Sequence, residues 1–94
     1  MVATKIQASE AEIRAWCVEY CVSTLKLPAR FVEPEVKFTR MGMDSAMAVY
    51  FLMALEEKLG VELPPELLFE RQTIAEVASH LAGPGERDGA AAGL

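Results

Sequence analysis

Ser45 follows Asp44 directly and heads a run of strong helix formers from Ala46 to Lys58. An aspartate in that place accepts from the exposed N–H groups of a first helical turn and complements the positive end of the helix dipole. The serine beside it keeps a hydroxyl reachable from outside, but nothing nearby in sequence activates it. The chain holds one histidine, His80, so a Ser/His/acid triad would require His80 to fold onto Ser45 with no second base near it. His80 fits a surface or half-buried helix position better. Cys17 and Cys21 are four residues apart within a helical pattern, which places both on one helix face. Two cysteines are too few for a disulfide framework and suit a reducing compartment. The acidic residues are scattered rather than alternating as in a calcium loop, no metal-ligand cluster is spaced along the chain, and no glycine-rich loop runs into a lysine. Covalent chemistry at Ser45 would therefore be done to it by another enzyme.

The elements that must hold Ser45 are legible from caps and periodicity. Ser9 and Glu12 form a capping box, and Ile13, Trp16, Cys17, Tyr20 and Thr24 continue at helical spacing, which predicts a first helix over about Ala11 to Leu25. From Pro28 to Asp44 the pattern dissolves, and Phe31, Val32, Val36 and Phe38 read as isolated anchors in a long loop. Gly42 relieves backbone crowding and Asp44 caps a second helix that starts at Ser45 and stops at Gly60. Pro64-Pro65 opens a short helical turn through Leu67, Leu68 and Phe69. Thr73 and Glu76 form a second capping box, before a last helix with Ile74, Val77, Ala78 and Leu81 on its apolar face, which Gly83-Pro84 ends. The fold class is all-α: a small bundle of three main helices plus one short helix, with a long loop between the first two main helices. The boundaries expected are an extension at 1–8, the folded domain at 9–82, and a flexible tail or linker at 83–94.

Ninety-four residues make one small domain at most. With 14 acidic against 9 basic residues the net charge is −5, which repels a phosphate backbone and sets nucleic acid aside as a partner. The longest apolar run, Ala46 to Leu55, is well short of the roughly 20 residues that cross a bilayer. The N-terminal residues lack the apolar core of a secretory signal, so the expected location is the cytoplasm. In the second helix, Ala48, Phe51, Leu52, Leu55 and Leu59 form a core stripe, and Ala46, Tyr50, Met53 and Glu57 lie opposite it. Three of those four are apolar. A domain this small cannot surround a helix on all sides, so part of Ala46 to Met53 is expected in solvent as a docking surface.

Gly42-Met43-Asp44-Ser45, the run from Met53 to Pro64 and the Thr73-Ile74 pair together resemble an acyl carrier protein, over about Glu12 to Ala82. The resemblance implies a helical bundle without catalysis of its own. A phosphopantetheinyl transferase would use coenzyme A and Mg²⁺ to place 4′-phosphopantetheine on Ser45, with Asp44 aiding recognition. The arm's thiol, not Cys17 or Cys21, would then carry acyl groups as thioesters between acyl-loading, ketosynthase or acyltransferase-type enzymes. Met43, Ala46, Met47, Val49, Tyr50, Met53 and Glu57 are the docking residues so implied, with Glu56, Glu57 and Glu70 supplying rim charge. Ala46 follows Ser45 where many relatives have Leu, and Met47 and Tyr50 stand where carriers of bacterial fatty acid synthesis are acidic. Those departures, the Met-Asp-Ser form and the Gly/Ala-rich tail look most like carrier domains of polyketide synthases, while Met43 argues against peptidyl carriers. The isolated domain is expected to be a monomer. The competing readings are a fatty-acid-synthesis carrier, a degenerate carrier that serves as a scaffold, and a helical interaction module that is never modified and binds through Tyr50 and Met53.

Overall fold

Side-chain caps set the N-terminal ends of the three longest helices. In the computed structural model, which describes residues 8–82, α1 spans Glu10–Ser23, α2 Phe38–Met41, α3 Ser45–Leu59, α4 Leu67–Glu70 and α5 Ile74–Leu81. Ser9 and Glu12 form the expected box at the start of α1: the Glu12 N–H donates to Ser9 Oγ at 3.1 Å, and the Ser9 N–H donates to Glu12 Oε1 at 2.9 Å. At α5, Thr73 Oγ1 accepts from the Glu76 N–H at 3.1 Å, but the Glu76 carboxylate reaches one residue further back than expected, to the Gln72 N–H at 2.8 Å. Helix α3 ends at Gly60, whose φ of 71° is the left-handed conformation that closes a helix with least strain when no Cβ is present.

Three long helices carry the architecture, as expected, and two short ones decorate it. Helix α1 packs mainly along α5 and, over a smaller area, against α3. The core joins Ile13, Cys17 and Cys21 of α1, Phe51, Leu52 and Leu55 of α3, and Ile74, Val77, Ala78 and Leu81 of α5. Phe51 is fully buried at its centre, with the rings of Phe38, Tyr20 and Trp16 at centroid distances of 5.5, 6.0 and 6.1 Å. The buried stripe of α1 is rotated from the expected one: Cys21 lies in the core, Trp16 and Tyr20 are half-buried at its edge, and Thr24 is exposed. Trp16 and Tyr20 stack at 5.1 Å, and the Tyr20 hydroxyl donates to the Tyr50 carbonyl at 3.3 Å, tying α1 to the outer side of α3.

The stretch between α1 and α3 is more ordered than a loop of isolated anchors. It holds a 3₁₀ turn at Ala29–Phe31 and the unexpected helix α2. Val32 and Phe38 are buried as expected, whereas Phe31 is exposed under the Arg30 guanidinium. Two backbone bonds fasten this stretch to the start of α5: Phe38 N–H to Gln72 O at 2.9 Å and Ala75 N–H to Pro34 O at 2.8 Å. Pro64 and Pro65 precede α4 instead of forming its first turn, and Glu66 holds the N-cap position without a side-chain cap. Of the expected extension at 1–8, Ala8 packs half-buried against the core; its remainder and the tail at 83–94 lie outside the described residues.

Candidate functional site

The Ser45 end of α3 is built by a reversal of the chain. Gly42 closes α2 with φ 103°, a conformation costly for any residue with a Cβ, and so aims the next residue inward. Met43 is consequently buried, 8% exposed, and its N–H donates to the Phe38 carbonyl at 3.1 Å. Asp44 then caps α3, its Oδ1 accepting from the Met47 N–H at 2.9 Å. Ser45 is the first residue of α3 and is exposed. It stands on a platform fixed at both ends, by the Gly42 turn behind and the core residues Phe51 and Leu52 ahead.

A groove of about 430 Å³ opens at Ser45 and runs between α2, α3 and α4. Its apolar walls include Ala48, Val49, Leu52 and Leu68, and Lys37 and Asp44 are its charged lining residues. His80 lines a separate concavity with Arg14 and Arg71, so Ser45 and His80 are not brought together and no triad forms. Among the described residues no group of acidic, histidine and cysteine side chains is arranged to hold a metal ion. Cys17 and Cys21 are fully buried on one face of α1, where burial pushes the Cys21 thiol up to about 11 and the Cys17 thiol further still. Neither offers a thiolate near neutral pH.

Most of the sequence-predicted site residues share the outer side of α3. Ala46, Val49, Tyr50, Met53 and Glu57 are all exposed, with Tyr50 at 60% and Met53 at 59%, and Met47 is half-buried. Two expectations need correction. Met43 is not on that surface, because the left-handed turn at Gly42 sends its side chain into the core. Glu56 is not a free rim charge, because its Oε2 accepts from the Leu63 N–H at 2.8 Å and holds the α3–α4 connection; Glu70 is exposed as expected. Val49, expected as a docking residue, lines the groove, and so do Lys37 and Phe69, which the sequence reading did not single out. Phe69, 78% exposed, had a signal in the sequence: it is the third apolar residue of a four-residue turn whose inward places Leu67 and Leu68 already fill.

Residues 16–81 match the family model described as "Phosphopantetheine attachment site". The chain belongs to that family. Residues of the chain are 38% identical over 58 positions to polyketide synthase PksM of Bacillus subtilis, covering 62% of the chain and 1% of that synthase. The fold is similar to a free-standing peptidyl carrier protein of Acinetobacter baumannii, with TM-score 0.70, 29% identity and coverage of 78% of this chain and 91% of that one. It is also similar to Asl1650, an acyl carrier protein from Anabaena with a variant phosphopantetheinylation-site sequence, with TM-score 0.71, 32% identity and coverage of 84% and 91%. Residues 16–81 thus form a carrier domain, of a non-catalytic kind that bears covalent 4′-phosphopantetheine. A carrier domain of this kind implies interaction with a phosphopantetheinyl transferase and with synthase enzymes. No helix among the described residues is long and apolar enough to cross a membrane. An exposed hydroxyl at a helix start, with a groove leading from it, fits the arm sterically, and the helix dipole favours its phosphate. When bound, the arm supplies the thiol that holds cargo as a thioester.

Proposed function

We propose that Ser45 is the attachment residue and that the domain, residues 9–82, shuttles thioester-bound acyl intermediates in polyketide or specialised lipid biosynthesis. The observation that carries this reading is the exposed Ser45 hydroxyl behind the Asp44 cap, at the mouth of the groove and inside the family-matched segment. In the loading step the Ser45 oxygen forms a bond to the phosphorus of the phosphopantetheine half of coenzyme A. The pyrophosphate bond breaks, the adenosine bisphosphate half leaves, and the serine proton passes to a base of the transferase. Asp44 keeps the helix start in place and contributes to transferase recognition. Ala46, Met47, Val49, Tyr50, Met53 and Glu57 receive the acyl-loading, ketosynthase and acyltransferase-type enzymes. The isolated domain works as a monomer in the cytoplasm. Similarity to a polyketide synthase supports that pathway; the likeness to a peptidyl carrier supports a second reading, in which the cargo is an aminoacyl group on the same serine.

Ser45→Ala tests the assignment. The hydroxyl makes no contribution to the Asp44 cap, so the variant should melt within about 1 kcal/mol of the parent while taking up no phosphopantetheine. A variant that unfolds, or one that is still loaded, contradicts Ser45 as a pure attachment point.

A further inference from the structure

The second concavity shares no lining residue with the groove at Ser45. About 450 Å³ in volume, it is set between the start of α1 and the outer side of α5. Two arginines line it, Arg14 from α1 and Arg71 from the residue that closes α4. Both are half-buried, and the Nε atom of each is withdrawn from solvent with no acceptor. An arginine cannot shed its charge to escape burial, and a buried N–H without a partner costs free energy. Acceptors are short here. Glu10 Oε2 lies 3.5 Å from Arg14 Nη2, at the long end of a hydrogen bond, and Arg71 has no ion pair among the described residues. Glu76 also lines the concavity, but its Oε1 accepts from the Gln72 N–H at 2.8 Å. Both glutamates stand in the first turns of their helices, where their charge offsets the positive end of the dipole. The two arginines therefore keep donor capacity and positive charge that the fold itself does not use.

We propose that this concavity binds an acidic polypeptide segment, whose Asp or Glu carboxylate is received by Arg14 and Arg71. A planar guanidinium matches a carboxylate through two parallel N–H donors. Phosphate fits less well, because its second charge would meet Glu10 and Glu76. A lone carboxylate would fill a small part of about 450 Å³. The remaining oxygens of Glu10 and Glu76 accept from N–H groups, which a peptide backbone supplies and a small organic acid lacks. The site needs neither Ser45 nor the arm. A segment held there leaves the Ser45 end of α3 open, since the two concavities have separate linings.

The test follows backbone amide signals of the full, isotope-labelled chain at constant ionic strength. The probes are a blocked tripeptide with a central glutamate, the same peptide with glutamine, sodium acetate and inorganic phosphate. The glutamate peptide should give saturable shifts at Arg14, Arg71, Ala75 and Ser79 and none at Ser45. The glutamine peptide should give none, and acetate and phosphate should bind more weakly. Arg71→Gln and Arg14→Gln should each weaken the glutamate peptide about tenfold, and Arg71→Lys, which keeps the charge but loses the planar fork, should recover only part of the loss. Shifts that do not saturate, equal shifts from the glutamine peptide, phosphate bound as tightly as the glutamate peptide, or unchanged affinity in a folded Arg71→Gln or Arg14→Gln each overturn the site. Arg71→Gln should still take up phosphopantetheine at the parent rate, so this site and the Ser45 assignment stand or fall separately.

Discussion

At the scale of single residues, the chain separates the reactive group from its own nucleophiles. Ser45 is exposed, while Cys17 and Cys21 are fully enclosed between α1 and the core. A thiol that reached solvent could attack a thioester carried nearby; these two are kept protonated by burial and out of reach. Their shifts also make the fold lose stability at alkaline pH. The unfolded Cys21 loses its proton near 9.0 and the folded one near about 11, so between those values the folded chain holds a proton that the unfolded chain has lost. This contribution is therefore fully present below pH 9.0 and is lost as pH rises toward about 11, with Cys17 adding in the same direction. Denaturant unfolding should show a flat neutral region and a falling limb above pH 9.0, and Cys21→Ala should make that limb shallower. A thiol reagent should label neither cysteine in the folded apo protein at neutral pH.

At the scale of elements, capping chemistry made most helices legible before any coordinates. Ser9, Asp44, Gly60 and Thr73 each act within a turn of themselves, so the start of α1, both ends of α3 and the start of α5 follow from local sequence. Helix α2 was not legible, because Lys37 provides no side-chain cap and four residues show no period. Its order comes from distant partners, the Gln72 carbonyl and the core around Phe51. Met43 was misplaced for a related reason: adjacency to Ser45 in sequence suggested a shared surface, while the backbone turn at Gly42 separates them. The rotation of α1 toward Cys21 likewise depends on α5, which periodicity alone does not locate. The exposed side of α3 is legible in the sequence because its opposite side fills the core. Phe51→Ala should cost about 3–5 kcal/mol, seen as a lower denaturant midpoint, since Phe51 is fully buried where four rings meet. Tyr50→Glu or Met53→Glu should leave that midpoint nearly unchanged, yet slow acyl transfer by partner enzymes more than phosphopantetheinylation. Equal transfer rates would contradict docking on that side of α3.

At the scale of the whole molecule, one end does the work and the rest holds it still. The core of α1, α3 and α5 fixes α3, the Gly42 turn fixes its first residue, and the short helices α2 and α4 wall a groove leading away from that residue. The net charge of −5 is spread away from the first three turns of α3, which pairs a well-hydrated body with an apolar working end. Such a domain brings position rather than catalysis to the enzymes it visits, and on the proposed reading its activity follows from the arm. The most direct test is an intact mass before and after incubation with coenzyme A, Mg²⁺ and a broad-specificity phosphopantetheinyl transferase, followed by peptide mapping of Met41 to Lys58. The protein should gain one phosphopantetheine, located on Ser45. A folded protein that gains nothing, or that gains the group on another residue, would contradict it.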